Sequence, residues 1–131
     1  MSETVLKRIT LAGLPEIGQP LEDGLFAGLT TTPDGTHYTV VLLADKPAEM
    51  LTWKQALNWA DKLGAVLPTR TVAAMLFANA KDQFEPGWHW TAESYKGSGA
   101  WHQFFYDGYQ GILRKSYEGR CRAVRLIQLT A

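Results

Sequence analysis

Apolar and polar positions alternate with a period of two in the first third of the chain, which favours β-strands. Residues 4–11 predict a first strand, and glycines and prolines then interrupt regular structure until about Asp23. Two apolar runs within 25–43 are joined by Thr32-Pro33-Asp34-Gly35, a composition typical of a type I turn. The pattern therefore predicts a strand, a loop and a β-hairpin.

The period then changes to that of an amphipathic helix. Its apolar face, at the spacing i, i+3, i+4, i+7, consists of Trp53, Ala56, Leu57, Ala60 and Leu63. Thr52 and Gln55 form a capping box at the start, and Gly64 is a natural end. A first helix is predicted between these signals.

A second helix is predicted to begin with Thr69 or Thr71 as its cap and to end before Pro86-Gly87. Its buried face is expected to hold Val72, Ala73, Leu76, Phe77 and Ala80. The strands that follow are short and aromatic, at 88–90, 100–106 and 120–129. Strands, two central helices and further strands, with terminal strands free to pair, predict one α+β domain over 1–131.

Composition narrows the classes of function. The chain has 131 residues, 46% of them apolar, enough for one hydrophobic core. Thirteen basic residues balance thirteen acidic ones, so no net field favours nucleic acid or a membrane surface as partner. With one cysteine, no signal-like start and no apolar span, the chain is expected to be soluble and cytoplasmic as synthesised, as a virion component would also be.

An ordered set of short motifs carries a resemblance to a known family. The motifs are GLFAG at 24–28, LTWKQA at 51–56, LPTR at 67–70, WTAE at 90–93, Ala100-Trp101, Phe105, Gly108 and RCRAVR at 120–125. The set resembles the DUF1566 family of C-type-lectin-like domains from bacteria and their phages. The scaffold is also similar to variable proteins of diversity-generating retroelements and to phage receptor-binding domains. The resemblance implies a C-type-lectin-like fold with a display surface between Trp90 and Arg122.

Metal sites are not expected. His37, His89, His102 and Cys121 could together make a tetrahedral zinc set, but they lack the close-set pairs that make such a signal specific. The calcium site of C-type lectins needs six to eight hard oxygen ligands. This chain has Glu85-Pro86-Gly87 before the wrong strand, and Trp101 is followed by His102-Gln103 instead of the Asn-Asp of those lectins.

Catalysis is also a minor alternative. The formylglycine-generating enzymes, which the scaffold resembles more distantly, rely on two thiols, whereas only Cys121 is available here. A catalytic triad could in principle be formed by Ser94, His102 and Asp107, but no nucleophile-elbow motif surrounds the serine.

Strand alternation assigns the aromatic residues to faces. The tryptophans Trp53, Trp88, Trp90 and Trp101 are expected to point inward, with Trp59 uncertain. If Trp101, Gln103 and Phe105 face the core, His102, Phe104 and Tyr106 share the other face. The predicted ligand-binding residues are therefore Tyr95, His102, Phe104, Tyr106, Tyr109, Ile112 and Leu113. The alternative is that another strand or a neighbouring subunit covers this face.

The sequence thus predicts a non-catalytic binding module of phage or prophage origin that recognises a protein, or else a glycan, through residues 94–117. An alternative is a cytoplasmic interaction or inhibitor protein of a mobile element, and an enzyme is the minor alternative. No cofactor, nucleic acid or membrane partner is expected, and homo-oligomerisation stays open.

Overall fold

Strands and helices are mixed along the chain in the computed structural model, which describes residues 8–130. The strands are β1 Arg8–Thr10, β2 Pro20–Leu21, β3 Gly24–Thr31, β4 His37–Leu43, β5 Trp88–Tyr95, β6 Gly99–Phe104, β7 Gln110–Arg114 and β8 Val124–Thr130. The helices are α1 Trp53–Lys62 and α2 Arg70–Ala80. The α+β class expected from the sequence is confirmed. No helix in this part of the chain is long and apolar enough to cross a lipid bilayer.

The larger sheet has five strands in the order β1-β8-β4-β3-β2. β3 and β4 are antiparallel, and Gly35 N–H donates to the Thr32 carbonyl at 2.8 Å in the turn between them. The predicted hairpin is confirmed. β4 lies at the centre of the sheet, and its last residues are buried on both faces, which explains its unbroken apolar run.

The two ends of the described chain meet at one edge of this sheet. β1 pairs with β8 in parallel, from Arg8 opposite Gln128 to Thr10 opposite Thr130. The predicted pairing of terminal strands is confirmed, although residues 4–7 of the predicted first strand lie outside the described residues. The expected loop before Asp23 is more ordered than predicted, with a 3-10 turn at Leu11–Gly13 and the short strand β2.

Helix α1 begins and ends where the sequence signals lie. Thr52 Oγ1 accepts a hydrogen bond from Gln55 N–H, and Gln55 Oε1 accepts one from Thr52 N–H at 3.0 Å, which completes the capping box. Gly64, after the last turn, has a φ of 68°, the left-handed conformation that favours glycine.

Helix α2 begins at the first of the two predicted caps, Thr69, whose Oγ1 accepts from Val72 N–H at 3.2 Å. It ends at Ala80, earlier than Pro86-Gly87, and a 3-10 turn at Lys81–Gln83 follows. The early end brings Phe84 into the core, where its ring stacks on Phe105 with centroids 3.9 Å apart.

Two clusters of buried side chains lie on opposite faces of the larger sheet. The first joins α1 and the smaller sheet to β4 and β8 through Val41, Leu43, Ala56, Ala60, Trp90, Ala100 and Ile127, among others. The second joins α2 to the sheet through Ala27, Val40, Leu42, Val72, Leu76, Phe105 and Val124, among others. The larger sheet is therefore a shared central layer.

The smaller sheet has the order β5-β6-β7, all antiparallel. The sequence predicted β5 and β6 but not β7, because Gly108 and Gly111 read as turn residues. Gly111 instead lies within the strand, where a Cβ would be 2.9 Å from Tyr109 Cε2. The glycine thus permits a ring to lie against the sheet.

The tryptophans divide differently from the prediction. Trp90 is 1% exposed, and its Nε1 donates to the Leu51 carbonyl at 3.0 Å. Trp53, Trp59 and Trp88 are half-buried against the first cluster. Trp101 is half-buried and belongs to neither cluster, so its expected place in the core is wrong; Arg70 covers its ring instead, with Cζ 3.5 Å from the ring centroid.

We expect Trp90→Ala to lower the free energy of unfolding by about 3–5 kcal/mol, because it removes the largest fully buried side chain of the first cluster. Urea denaturation measures the change. Tyr106→Ala is the control and should stay within about 0.5 kcal/mol of wild type, because Tyr106 is 70% exposed. A Trp90→Ala protein as stable as this control would contradict the described core.

Candidate binding surface

Residues 94–117, the predicted display region, form the end of β5, all of β6 and β7, and the turns between them. Gln103 and Phe105 are buried, as predicted for the inward face. His102, assigned to the display face, is only 4% exposed, and Phe104 is half-buried. Of the three residues predicted to share an exposed face, only Tyr106 is exposed.

A row of rings accounts for the burial of His102. Its ring lies edge-on to Trp88 and to Phe104, each with a centroid separation of 5.4 Å. Trp88 in turn contacts Trp90, and Phe104 contacts Tyr109. Strand alternation predicted that this face is exposed to solvent. The chain's own aromatic side chains cover it instead, so His102 is not a display residue.

Leu113 is half-buried. It pairs with Ala100 across β6 and β7, and Ala100 is fully buried. Cross-strand partners lie on the same face of a sheet, so Leu113 packs against the first core cluster, and its accessible part lines a surface depression that Ile112 also lines.

The remaining predicted residues do not form one patch. Ile112 pairs with Trp101, whose ring contacts Tyr95 at 5.8 Å, whereas Tyr109 lies on the His102 side. Because neighbouring residues of a strand point to opposite faces, Tyr95 and Ile112 lie on one face and Tyr109 on the other.

One shallow depression gathers exposed apolar side chains. Its exposed apolar members are Tyr95, Ile112 and Tyr117, which are 39%, 39% and 51% exposed, and the half-buried Leu113 also lines it. Lys96 and Arg114 line it as well. We call this site the Tyr95 depression. The sequence reasoning did not single out Tyr117, because it lies in the turn after β7, a strand that was not predicted.

Next to the depression, polar side chains fix helix α2 to the smaller sheet. Gln103 donates to the Ala73 carbonyl at 2.6 Å and accepts from Gln110 Nε2 at 2.8 Å. Gln110 Oε1 accepts from Arg70 Nε at 2.9 Å, and Arg70 covers Trp101. These bonds hold β6 and β7 rigidly behind Tyr95 and Ile112.

Neither buried histidine indicates a metal centre. Burial lowers the pKa of His89 to about 4, and burial also lowers the pKa of His102. His89 Nδ1 lies 3.2 Å from the Gly87 carbonyl. Within residues 8–130, no three His, Cys, Asp or Glu side chains are grouped so that they could hold a metal ion.

The candidate catalytic residues are also poorly placed for nucleophilic chemistry. Cys121 is buried, and burial raises the pKa of its thiol to about 12, so the reactive thiolate is disfavoured at neutral pH. Nδ1 of His102 has no hydrogen-bond partner among the described residues, so it makes no bond to Asp107 or Ser94 of the kind that a triad requires.

Comparison of the chain with protein-family models and with curated proteins finds no match.

The buried His89 predicts a pH-dependence of stability. Its folded pKa of about 4 lies below the ordinary histidine value of 6.5, so the neutral ring stabilises the fold fully above pH 6.5. That contribution, about 3 kcal/mol, is lost as the pH falls from 6.5 towards 4. Urea unfolding at pH steps across this window should show the loss in wild type.

Two variants isolate the contribution of His89. His89→Phe should reduce the pH-dependence of stability, because no imidazole remains to be protonated at this position and only the contribution of His102 is left. His37→Phe, at an exposed position of β4, should leave it as in wild type. Equal pH-dependence in wild type and His89→Phe would contradict a neutral, buried His89.

Proposed function

We propose that this chain is a non-catalytic binding domain of the C-type-lectin-like class, of phage or prophage origin, which recognises a protein ligand through the Tyr95 depression. The motif set supports the class. The pairing of β1 with β8, and two helices packed around the central sheet, are compatible with it. Because a fold alone does not define a function, the surface has to support the proposal.

The observation that supports it best is the grouping of Tyr95, Ile112 and Tyr117 around one depression. Tyrosine rings supply a large contact area and lose little conformational entropy when they bind. Exposed apolar side chains are ordinary when scattered, but a group of them beside a half-buried tryptophan has the composition of a recognition site.

A protein ligand fits this composition better than a sugar. Ile112 offers only apolar contacts, which suit a leucine or aromatic side chain and leave sugar hydroxyls unpaired. Lys96 and Arg114 flank the apolar residues and complement acidic groups at the edge of a partner's interface. The ligand is therefore proposed to present an apolar side chain with acidic neighbours.

The rigid support behind the depression also favours binding. The Gln103–Gln110–Arg70 network fixes the strands that carry Ile112, and the Trp101 ring supports Tyr95. A pre-organised surface loses less freedom on association, so more of the contact energy contributes to affinity.

The test is a double variant, Tyr95→Ser with Ile112→Ser, against Tyr106→Ser as a matched control. Tyr106 is an exposed ring in the turn after β6 and does not line the depression. Immobilised wild type and Tyr106→Ser should retain the same protein from a lysate of the source cell. The double variant should lose it, because each anchor contributes ~2 kcal/mol or more.

Stability has to be measured in parallel. Tyr106→Ser should unfold at the wild-type urea midpoint, whereas the double variant should unfold at a lower one but still cooperatively, because Tyr95 and Ile112 are only 39% exposed and lose packing area. Retention of the same protein by the double variant would contradict the proposal. Binding to a glycan array, lost in the double variant, would keep the depression as the site but replace the protein ligand by a glycan.

A further inference from the structure

A cavity of about 190 Å³ lies away from the Tyr95 depression, and its residues are not used by the proposed function. Its buried floor is made of His89, Cys121 and Arg122. The exposed segment 46–50 forms its outer wall, and Glu85 and Arg120 complete the lining. The volume is several times the ~30 Å³ that one water occupies in the liquid.

Arg122 is the unusual member of this lining. The residue is 4% exposed, and its guanidinium donates to the carbonyls of Gln83 and of Leu43, the latter at 2.8 Å. Its Cζ lies 5.0 Å from the centroid of the Phe84 ring. Its Nε has no hydrogen-bond partner among the described residues. The guanidinium is thus held in place but not fully paired.

No carboxylate of the described residues forms a salt bridge with Arg122; the pairs that do form are Arg120 with Glu85 and Arg125 with Asp23. Asp45 is near enough to favour the charged form, but burial outweighs it and lowers the pKa of Arg122. Arginine stays protonated even so, and the floor therefore carries a buried positive charge without a paired anion.

The other charged residues determine which anion would fit. Lys46, Arg120 and Arg122 bring three positive charges, and Glu49 and Glu85 bring two negative ones, which leaves one net positive charge. His89 is neutral at physiological pH. With Asp45 also close to Arg122, a singly charged anion fits the cavity better than a doubly charged phosphate, which would meet the carboxylates of Glu49 and Glu85 as well.

We propose that this cavity binds a small organic monocarboxylate, whose carboxylate accepts hydrogen bonds from Arg120 and is attracted by the buried positive charge of Arg122 in the floor. Guanidinium and carboxylate match in shape, and their charge-assisted bonds are about twice as strong as neutral ones. The Glu85–Arg120 pair, at 3.4 Å and partly exposed, is loose enough for Arg120 to turn to the ligand. Met50 and Ala48 in the outer wall contact the apolar part of the acid.

Gly87 supports the role of Arg120. A Cβ at Gly87 would clash with the Arg120 guanidinium. The absence of a side chain at Gly87 therefore leaves room for Arg120 to lie beside Glu85 and the cavity. Arg120 is thus positioned by its neighbours and does not project freely into solvent.

The test uses benzoate as the probe and benzamide, its uncharged counterpart of similar shape, as the matched ligand control. Titration into ¹⁵N-labelled protein at pH 7 should shift the Arg122 Nε–H resonance and the amides of residues 46–50. Benzamide should bind at least about tenfold more weakly, because it lacks the charge. Phosphate should bind more weakly than benzoate.

Variants locate the binding. Arg120→Gln, which replaces a half-buried side chain, should weaken benzoate at least about tenfold, whereas Arg8→Gln at an exposed position of β1 should bind it as wild type does. If the Arg122→Lys variant folds, its affinity for benzoate tests the contribution of this residue in the floor of the cavity directly. The proposal is overturned if benzoate and benzamide bind alike, if Arg120→Gln binds benzoate as wild type does, or if 50 mM benzoate leaves these resonances unmoved.

Discussion

The burial of the Arg122 guanidinium is the constraint on which much of this structure depends. A charge taken out of water is costly unless its hydrogen bonds are replaced, and here the replacements are the carbonyls of Leu43 and Gln83. Leu43 ends the central strand β4, and Gln83 ends the 3-10 turn after α2. The Arg122 side chain therefore fixes where strand β4 ends and where the turn after helix α2 ends.

The backbone around Arg122 extends the same constraint to the rest of the chain. Residues 119–124 exchange hydrogen bonds with Leu51 before α1, with Trp90 of β5 and with Val66 after α1. This segment is mostly irregular, yet it connects both sheets and both ends of α1. The smaller sheet is consequently held on one side by residues 119–124 and on the other by the Gln103 network to α2. Strands fixed on both sides can present Tyr95 and Ile112 in a stable geometry.

The sequence predicted local structure well wherever a short-range physical signal was sufficient. The capping box of Thr52 with Gln55 and the hairpin turn at 32–35 are both confirmed. Period-two alternation also put Gln103 and Phe105 on the inward face. These signals act between residues that are close in sequence, so they can be recognised from the sequence alone. What covers the opposite face of a strand is set by distant residues.

The residues that were misassigned show this difference. His102 is buried because Trp88, fourteen positions earlier, lies against it, and Trp101 leaves the core because Arg70 of α2 covers it instead. Strand alternation predicts which face of the sheet a side chain lies on, but not which distant residue packs against it. Leu113 is more buried than predicted because β7, which was not predicted, pairs it with Ala100. The Tyr95 depression was accordingly predicted in part, through Tyr95, Ile112 and Leu113, and the Arg122 cavity was not predicted.

Arg122 also bears on why the cavity is better explained by binding than by stability. A buried charge without a carboxylate is a poor route to a stable core, since apolar side chains of similar volume often stabilise such positions as well or better. Phe84, beside the guanidinium, already shows that this region accepts an aromatic ring in close packing. The positive charge adds little to the packing, but it gives the floor of the cavity a directed group that an apolar residue could not supply. The carbonyls of Leu43 and Gln83 hold the guanidinium in place but do not neutralise its charge, and the proposed anion would supply that neutralisation.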